Sequence, residues 1–256
     1  MNYLTLSQVW WQFLLFVIGS YLMGNINFAV IISVIKKKDI RKQGSGNPGT
    51  LNMSRTFGLG IGVLTLLLDI CKGVIPTLTA MLIYDKYCFA GTTLSVGMVA
   101  KVACGYFAVL GHVFPVFMRF KGGKGIATTI GVFAVCSPKV AVIAGAVAIV
   151  WILVTEIGAM GSFIATTPPA FATCLWIYET YIQNQIVVAT EQVVLVAISN
   201  FFIISIIFLT WYAHRQNIKR LIAGEEHPTN WLQTLREKRI KNKIKKLKES
   251  QTDENL

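Results

Sequence analysis

The chain reads as a succession of long apolar runs divided by short polar segments. Runs at 9–35, 57–84, 89–117, 157–182 and 193–213 each hold the roughly 20 mainly apolar residues that a helix needs to cross a bilayer. A further apolar stretch, 126–155, is interrupted by Ser137-Pro138-Lys139. Proline has no amide hydrogen and disfavours helical geometry in the residue before it, so this stretch is expected to fold as two shorter helices, 122–136 and 138–155. The pattern predicts an all-α polytopic membrane protein with seven transmembrane helices. It also predicts two regions, a seven-helix domain over 1–227 and a basic tail over 228–256.

Composition agrees with that pattern. The chain is 54% hydrophobic and 14% charged, with a mean hydropathy of +0.58. A soluble domain is about 45–50% apolar and about 25% charged. The net charge of +12 is unevenly placed. With seven spans, one face collects six Lys and Arg in the loop 36–56, three at 119–124 and eleven after Ala213, twenty of the 24. Cytoplasmic segments carry the excess of Lys and Arg, so the N-terminus is expected outside and the C-terminus in the cytoplasm. A six-span arrangement would put the basic tail on the other side. No Lys or Arg precedes Lys36, so the first span lacks the basic start of a signal peptide and is expected to be retained.

Charge and cysteine usage exclude other classes. The basic residues flank apolar spans without the aromatic interleaving of a nucleic-acid binder, so no nucleic acid is expected. The five cysteines form no CxxC pair and suggest neither a disulfide framework nor a metal site. No internal repeat supports the inverted architecture of many transporters. The tail sequence 231–248 interleaves Trp231, Leu232, Leu235, Ile240, Ile244 and Leu247 with Lys and Arg. An amphipathic helix on the anionic inner leaflet and a solvated basic tail both fit it.

Three polar segments share the expected cytoplasmic face. The first, RKQGSGNPGTLNMSRTFG from Arg41 to Gly58, is glycine-rich with basic residues at each end. Successive amides in such a turn can form an anion-binding nest, Ser45 and Asn47 add hydrogen bonds, and Arg55 can grip a phosphate with two parallel bonds. The second, GHVFPVFMRFKGGKGIATTIG from Gly111 to Gly131, brackets Lys124 with Gly122, Gly123 and Gly125 just before a helix start. Free amides and the positive dipole end favour an anion there. The GxxxxGK[ST] spacing of a nucleotide-binding loop is absent. His112 is a candidate for substrate binding, with a structural role left open. The third, HRQNIKRLIAGEEH from His214 to His227, brings His214 and Asn217 to one helical face by their spacing of three. Asp39 and Glu226 flank these segments without an evident acid–base partner. Asp69 and Lys72, three apart inside the second span, are expected to neutralise each other. Together the segments predict one composite pocket for phosphates at the membrane surface. A phosphate-ester transporter is the competing reading, and it requires polar residues lining a path through mid-bilayer.

The stretches GSGNPGTLNMSRTFG, LDICKG, GHVFPVFMRFKGGKGIAT and HRQNIKRLIAGEE, in this order, resemble the bacterial integral-membrane glycerol-3-phosphate acyltransferases that use acyl phosphate. The resemblance runs from about residue 21 to 226. It implies a seven-helix enzyme of the cell (inner) membrane with its active site on the cytoplasmic face, no cofactor, no metal and no obligate protein partner. The implied reaction converts acyl phosphate and glycerol 3-phosphate to lysophosphatidate and phosphate, the first step of phospholipid synthesis. It places the phosphate loop on Ser45, Gly46 and Asn47 with Arg55 following, the essential lysine on Lys124, a polar serine on Ser162, and the last motif on His214 and Asn217. Ser45, Lys124, His214 and Asn217 are the expected catalytic residues. Gly46, Asn47, Arg55, His112, Gly122, Gly123 and Ser162 are expected to bind substrate. Asn27 stands where the family has proline, and the segment 180–191 and the tail are longer than usual. The HxxxxD box of the soluble acyltransferases is absent, since Phe117, Lys219 and Leu232 stand five residues after the three histidines.

Overall fold

The computed structural model describes residues 2–226 together with Pro228, Thr229 and Ile240. The order is β1 (Asn2–Leu4), α1 (Leu6–Asn25), α2 (Phe28–Ile35), α3 (Thr50–Phe57), α4 (Leu59–Tyr84), β2 (Tyr87–Phe89), α5 (Val96–Val113), α6 (Ile126–Cys136), α7 (Pro138–Thr155), α8 (Gly158–Tyr178), α9 (Thr190–Ala213) and α10 (Arg215–Ile222). The tail sequence 231–248 lies outside the described residues except for Ile240.

Local chemistry sets the boundaries. The Gln8 carboxamide oxygen accepts from the Thr5 amide at 2.8 Å and closes the start of α1. Ser95 caps α5 by accepting from the Gly97 amide at 3.0 Å. Pro138 opens α7, where its missing N–H costs nothing.

Three expected boundaries are corrected. The apolar run 9–35 is two helices broken at Ile26–Asn27. Asn27 accepts the Val30 amide at 3.0 Å to start α2, and the Lys72 ammonium donates to the Ile26 carbonyl at 2.8 Å. Two polar groups at the break, the Val30 amide and the Ile26 carbonyl, are therefore satisfied inside the bundle, as a bilayer requires. The run 89–117 does not begin as helix. Phe89 belongs to β2, which pairs in parallel with β1 (Asn2 opposite Tyr87), a small departure from an all-α fold. The helix expected from 122 begins at Ile126, because Gly122 to Gly125 form an irregular turn in which Gly125 has φ +80°.

By length and composition, five helical segments among the described residues can cross a membrane: Leu6–Ile35, Leu59–Tyr84, Val96–Met118, Pro138–Thr155 and Thr190–Ala213. α6 is shorter, 11 residues, or about 16 Å at 1.5 Å per residue. It ends at Ser137, whose hydroxyl donates to the Pro169 carbonyl of α8 at 3.0 Å. α8 carries Pro168, Pro169 and several Thr and Gly among its apolar residues.

α5 is the central helix. Some 83% of its span is buried, against 17% for α7. Small residues let its neighbours approach. A Cβ on Gly24 of α1 would meet the Ala108 carbonyl at 2.2 Å, and one on Gly111 of α5 would meet the Tyr21 carbonyl at the same distance. The crossing of α4 and α6 uses the same device, with Gly73 against the Thr128 carbonyl (2.0 Å) and Gly131 against the Ile70 carbonyl (2.1 Å).

The connections sort to two ends. β1 pairs beside the α4–α5 connection, and Gln192 at the start of α9 binds Thr93 and the Tyr181 carbonyl. At the other end lie the segment between α2 and α3, the turn between α5 and α6, and α10.

Candidate active site

The glycine-rich segment is organised by Asn52, on the first turns of α3. Its amide nitrogen donates to the carbonyls of Gln43 (2.9 Å) and Asn47 (3.1 Å), and its oxygen accepts from the Ser45 amide at 3.2 Å. The side chain is 2% exposed. Gly44, at φ +52°, has no room for a Cβ, which would stand 2.3 Å from the Asn52 oxygen. Gly46, at φ +69°, closes the turn by donating to the Gln43 carbonyl at 2.9 Å. Ser45 and Asn47 ride on this loop and lead into α3, whose last turn carries Arg55. Asp39 is used locally, in a 2.8 Å ion pair with Arg41 that holds its carboxyl down at about 2.

The second segment folds back onto the end of α5. Gly122 and Gly123 donate their amides to the carbonyls of Val113 (3.2 Å) and His112 (3.1 Å), which the helix end leaves without partners. Lys124 follows, with its ammonium donating to the Asn217 carboxamide oxygen of α10.

The third segment closes the cluster. Asn217 donates to a Glu226 carboxylate oxygen at 2.7 Å, and the Arg220 Nε donates to the other at 3.1 Å. Glu226 reaches them because Gly224, at φ +73°, reverses the chain after α10. Gly224 donates to the Leu221 carbonyl at 3.2 Å and Glu225 to the Arg220 carbonyl at 2.8 Å, the paired bonds of a glycine-terminated helix end. Arg55 reaches the same rim, where its Nη2 donates to the Pro228 carbonyl at 2.9 Å. The Thr229 amide donates to the Glu156 carbonyl at 2.9 Å, tying this strand of chain to the α7–α8 junction.

Charge is concentrated and half desolvated here. Burial holds the Lys124 amine down at about 8, with Glu226 pulling it up and Arg220 and Arg55 pushing it down. His214 is 3% exposed, its ring against Phe163 of α8 at 5.3 Å. Burial, and then the Lys124 charge, hold its imidazole down at about 4, while the Thr210 carbonyl pulls it up. A carbonyl only accepts, so Nδ1 is the donor to Thr210 (2.9 Å) and Nε2 keeps its lone pair.

The structure thus gathers Arg55, Lys124, His214 and Asn217 at one end of the bundle, with Gly122 and Gly123 carrying Lys124. It adds Glu226, which the sequence placed only at the margin, and Arg220 and Asn52, which the sequence reading did not single out. The glycine reversal at 224 was the available signal for Glu226. Two expected side chains make no hydrogen bond to that cluster among the described residues. Ser162, beside Phe163, turns its hydroxyl back to the Gly158 carbonyl at 2.9 Å. His112 lies behind the Gly122–Gly123 turn, its Nδ1 2.9 Å from the Lys72 ammonium. The loop of Ser45, Gly46 and Asn47 connects to the cluster through α3 and Arg55. A cleft of about 520 Å³ lined by Gln8, Gln12, Phe16, Tyr84 and Lys86 lies at the other end of the bundle and shares no residue with this cluster.

A protein-family model described as glycerol-3-phosphate acyltransferase matches residues 14–224. The glycerol-3-phosphate acyltransferase of Halalkalibacterium halodurans is 39% identical over 219 residues, 83% of this chain and 93% of its own. That of Aquifex aeolicus is 34% identical over 223 residues, 84% and 97% of the two chains. The fold is similar to the crystal structure of PlsY (YgiH), an integral membrane glycerol 3-phosphate acyltransferase, in its glycerol 3-phosphate form. The TM-score is 0.68 at 34% identity, covering 88% of this chain and 98% of that one. The lysophosphatidic acid form of PlsY gives 0.67 at 33%.

Proposed function

Because the chain belongs to the glycerol-3-phosphate acyltransferase family, a family of membrane acyltransferases, we propose that it moves a fatty acyl group from acyl phosphate to the 1-hydroxyl of glycerol 3-phosphate. The products are lysophosphatidate and inorganic phosphate. The chain crosses the cell membrane seven times, with α6 and α8 completing the count. Its N-terminus is outside and the clustered residues face the cytoplasm. The distribution of Lys and Arg supports this orientation.

Acyl phosphate is a mixed anhydride and already activated, so the site has to orient two anions and stabilise a departing phosphate. The loop of Ser45, Gly46 and Asn47, through the Ser45 hydroxyl and the Asn47 carboxamide, and Lys124 on its Gly122–Gly123 turn cradle the donor's phosphate. Arg55, Ser162, His214 and Asn217 hold glycerol 3-phosphate. Its terminal oxygen forms a bond to the acyl carbon, and the bond from that carbon to the phosphate oxygen breaks. The phosphate carries away the electron pair. With the imidazole of His214 held at about 4, the phosphate oxygen is the stronger base and takes the hydroxyl proton. His214 then binds and orients, with Nε2 as an acceptor for the hydroxyl. Orientation of this kind can lower a barrier by roughly 7–11 kcal/mol.

The observation that carries this reading is the Lys124–Asn217–Glu226–Arg220 chain with Arg55 at its rim, four groups able to bind phosphate around one carboxylate. The test is purified protein in detergent, given acyl phosphate and glycerol 3-phosphate. Lysophosphatidate and phosphate should appear in equal amounts without a membrane compartment, which a transporter would need. Turnover with an acyl thioester and none with acyl phosphate would overturn the donor assignment.

A further inference from the structure

Deep between the helices, Lys72 of α4 is 1% exposed and has partners from three elements. Its ammonium donates to the Ile26 carbonyl at 2.8 Å and to His112 Nδ1 at 2.9 Å, and it pairs with Asp69 at 2.8 Å. An ammonium has three hydrogens and no lone pair, so these contacts use all it has. His112 Nδ1 must therefore accept, which puts the ring proton on Nε2, the atom facing Gly123. A Cβ on Gly123 would stand 2.3 Å from that Nε2, and one on Gly122 would stand 2.1 Å from the His112 carbonyl. Ring and turn are in direct contact, and Lys124 is the next residue.

A buried ion pair in a membrane helix is costly and is seldom kept for stability alone. We propose that Lys72, held by Asp69, is a positioning residue for the site. Through the His112 ring it sets the Gly122–Gly123 turn and so the place of Lys124. Through the Ile26 carbonyl it sets the α1–α2 break, from which the chain runs to the glycine-rich loop. One buried ammonium thereby registers two of the three polar segments against each other. The consequence for catalysis rests on the function proposed above, whereas the consequence for the position of residue 124 does not.

The test uses the full-length protein in detergent. Lys72→Met has a similar length and no charge. In folded K72M, turnover should fall about tenfold or more, since a shift of about 1 Å in a reacting group can cost about a hundredfold. As a readout independent of the reaction, Lys124→Cys is labelled with a charged methanethiosulfonate with Lys72 present and with Met in its place. The labelling rate at that cysteine, followed by mass spectrometry of its peptide, should change at least about fivefold. A second pair covers the case in which K72M fails to fold. His112→Asn places its amide oxygen near the position of Nδ1 and keeps the Lys72 bond, whereas His112→Gln places its amide at the other end of the ring. His112→Asn should retain at least about five times the turnover of His112→Gln. A folded K72M whose labelling and turnover stay within twofold would overturn the proposal, as would equal losses in the two His112 variants. A melting temperature lowered without either change would leave Lys72 with structural work only, which also overturns it.

Discussion

At the scale of single residues, Lys124 carries a charge that its surroundings oppose and a substrate would welcome. Its amine, held at about 8, is a cation below that pH and neutral above it. If the cation grips phosphate, kcat/KM should be level around neutrality and fall as the pH rises through about 8. Bound phosphate favours the charged form, so the limb in kcat should lie at higher pH than the limb in kcat/KM. The imidazole of His214, held at about 4, is neutral throughout that range and should contribute no limb between pH 5 and 8. A pH–rate profile with an inflection near 6.5 that disappears in His214→Asn would show that His214, and not the substrate phosphate, titrates during turnover. The charge of Lys124 was legible in the sequence, because a cation among glycines before an apolar run has few other readings. The contact between Lys72 and His112 was not, because it joins residues on two different helices that no local spacing brings together. Glu226 was visible as a carboxylate but lacked an evident partner until Gly224 turned it back onto α10.

At the scale of elements, hydropathy and proline marked where the long helices run. α7 begins and ends at the residues expected, because Pro138 both stops α6 and starts α7. The break between α1 and α2 was hidden, because both halves are apolar and one of the groups that holds it is a lysine from another helix. The start of α6 was displaced to Ile126 because four residues before it are spent in folding the turn onto α5. Asn52 was passed over within the glycine-rich segment, although a single buried carboxamide bonds both sides of that loop. Asn52→Ala would leave the Gln43 and Asn47 carbonyls and the Ser45 amide without this partner. Leaving a buried polar group unsatisfied costs about 1–3 kcal/mol, so thermal unfolding should show a loss of that order. The KM for acyl phosphate should rise more than kcat falls, since the loop that carries Ser45 and Asn47 would no longer be held in one arrangement.

At the scale of the whole molecule, the fold solves one problem twice. Helices in lipid gain little from the hydrophobic effect against each other, so close packing of small residues has to hold them. Gly24 with Gly111 and Gly73 with Gly131 do this at two crossings, and both crossings fix α5 and α6 on either side of the Gly122–Lys124 turn. Gly131→Val should lower the stability by about 1–3 kcal/mol, the usual cost of overpacking. Its melting temperature in detergent should fall accordingly. The bonds at this end of the bundle join residues 93 and 173 positions apart, Lys124 with Asn217 and Arg55 with Pro228, because the helices alternate in direction. Whether that cluster performs acyl transfer turns on Lys124. The most direct measurement is the initial rate of lysophosphatidate formation by purified Lys124→Ala beside the unaltered protein, with acyl phosphate and glycerol 3-phosphate and with folding checked by thermal unfolding. A fall of about a hundredfold or more in a folded variant is predicted, the scale for losing one preorganised charge donor. A folded Lys124→Ala turning over at a near-normal rate would contradict it.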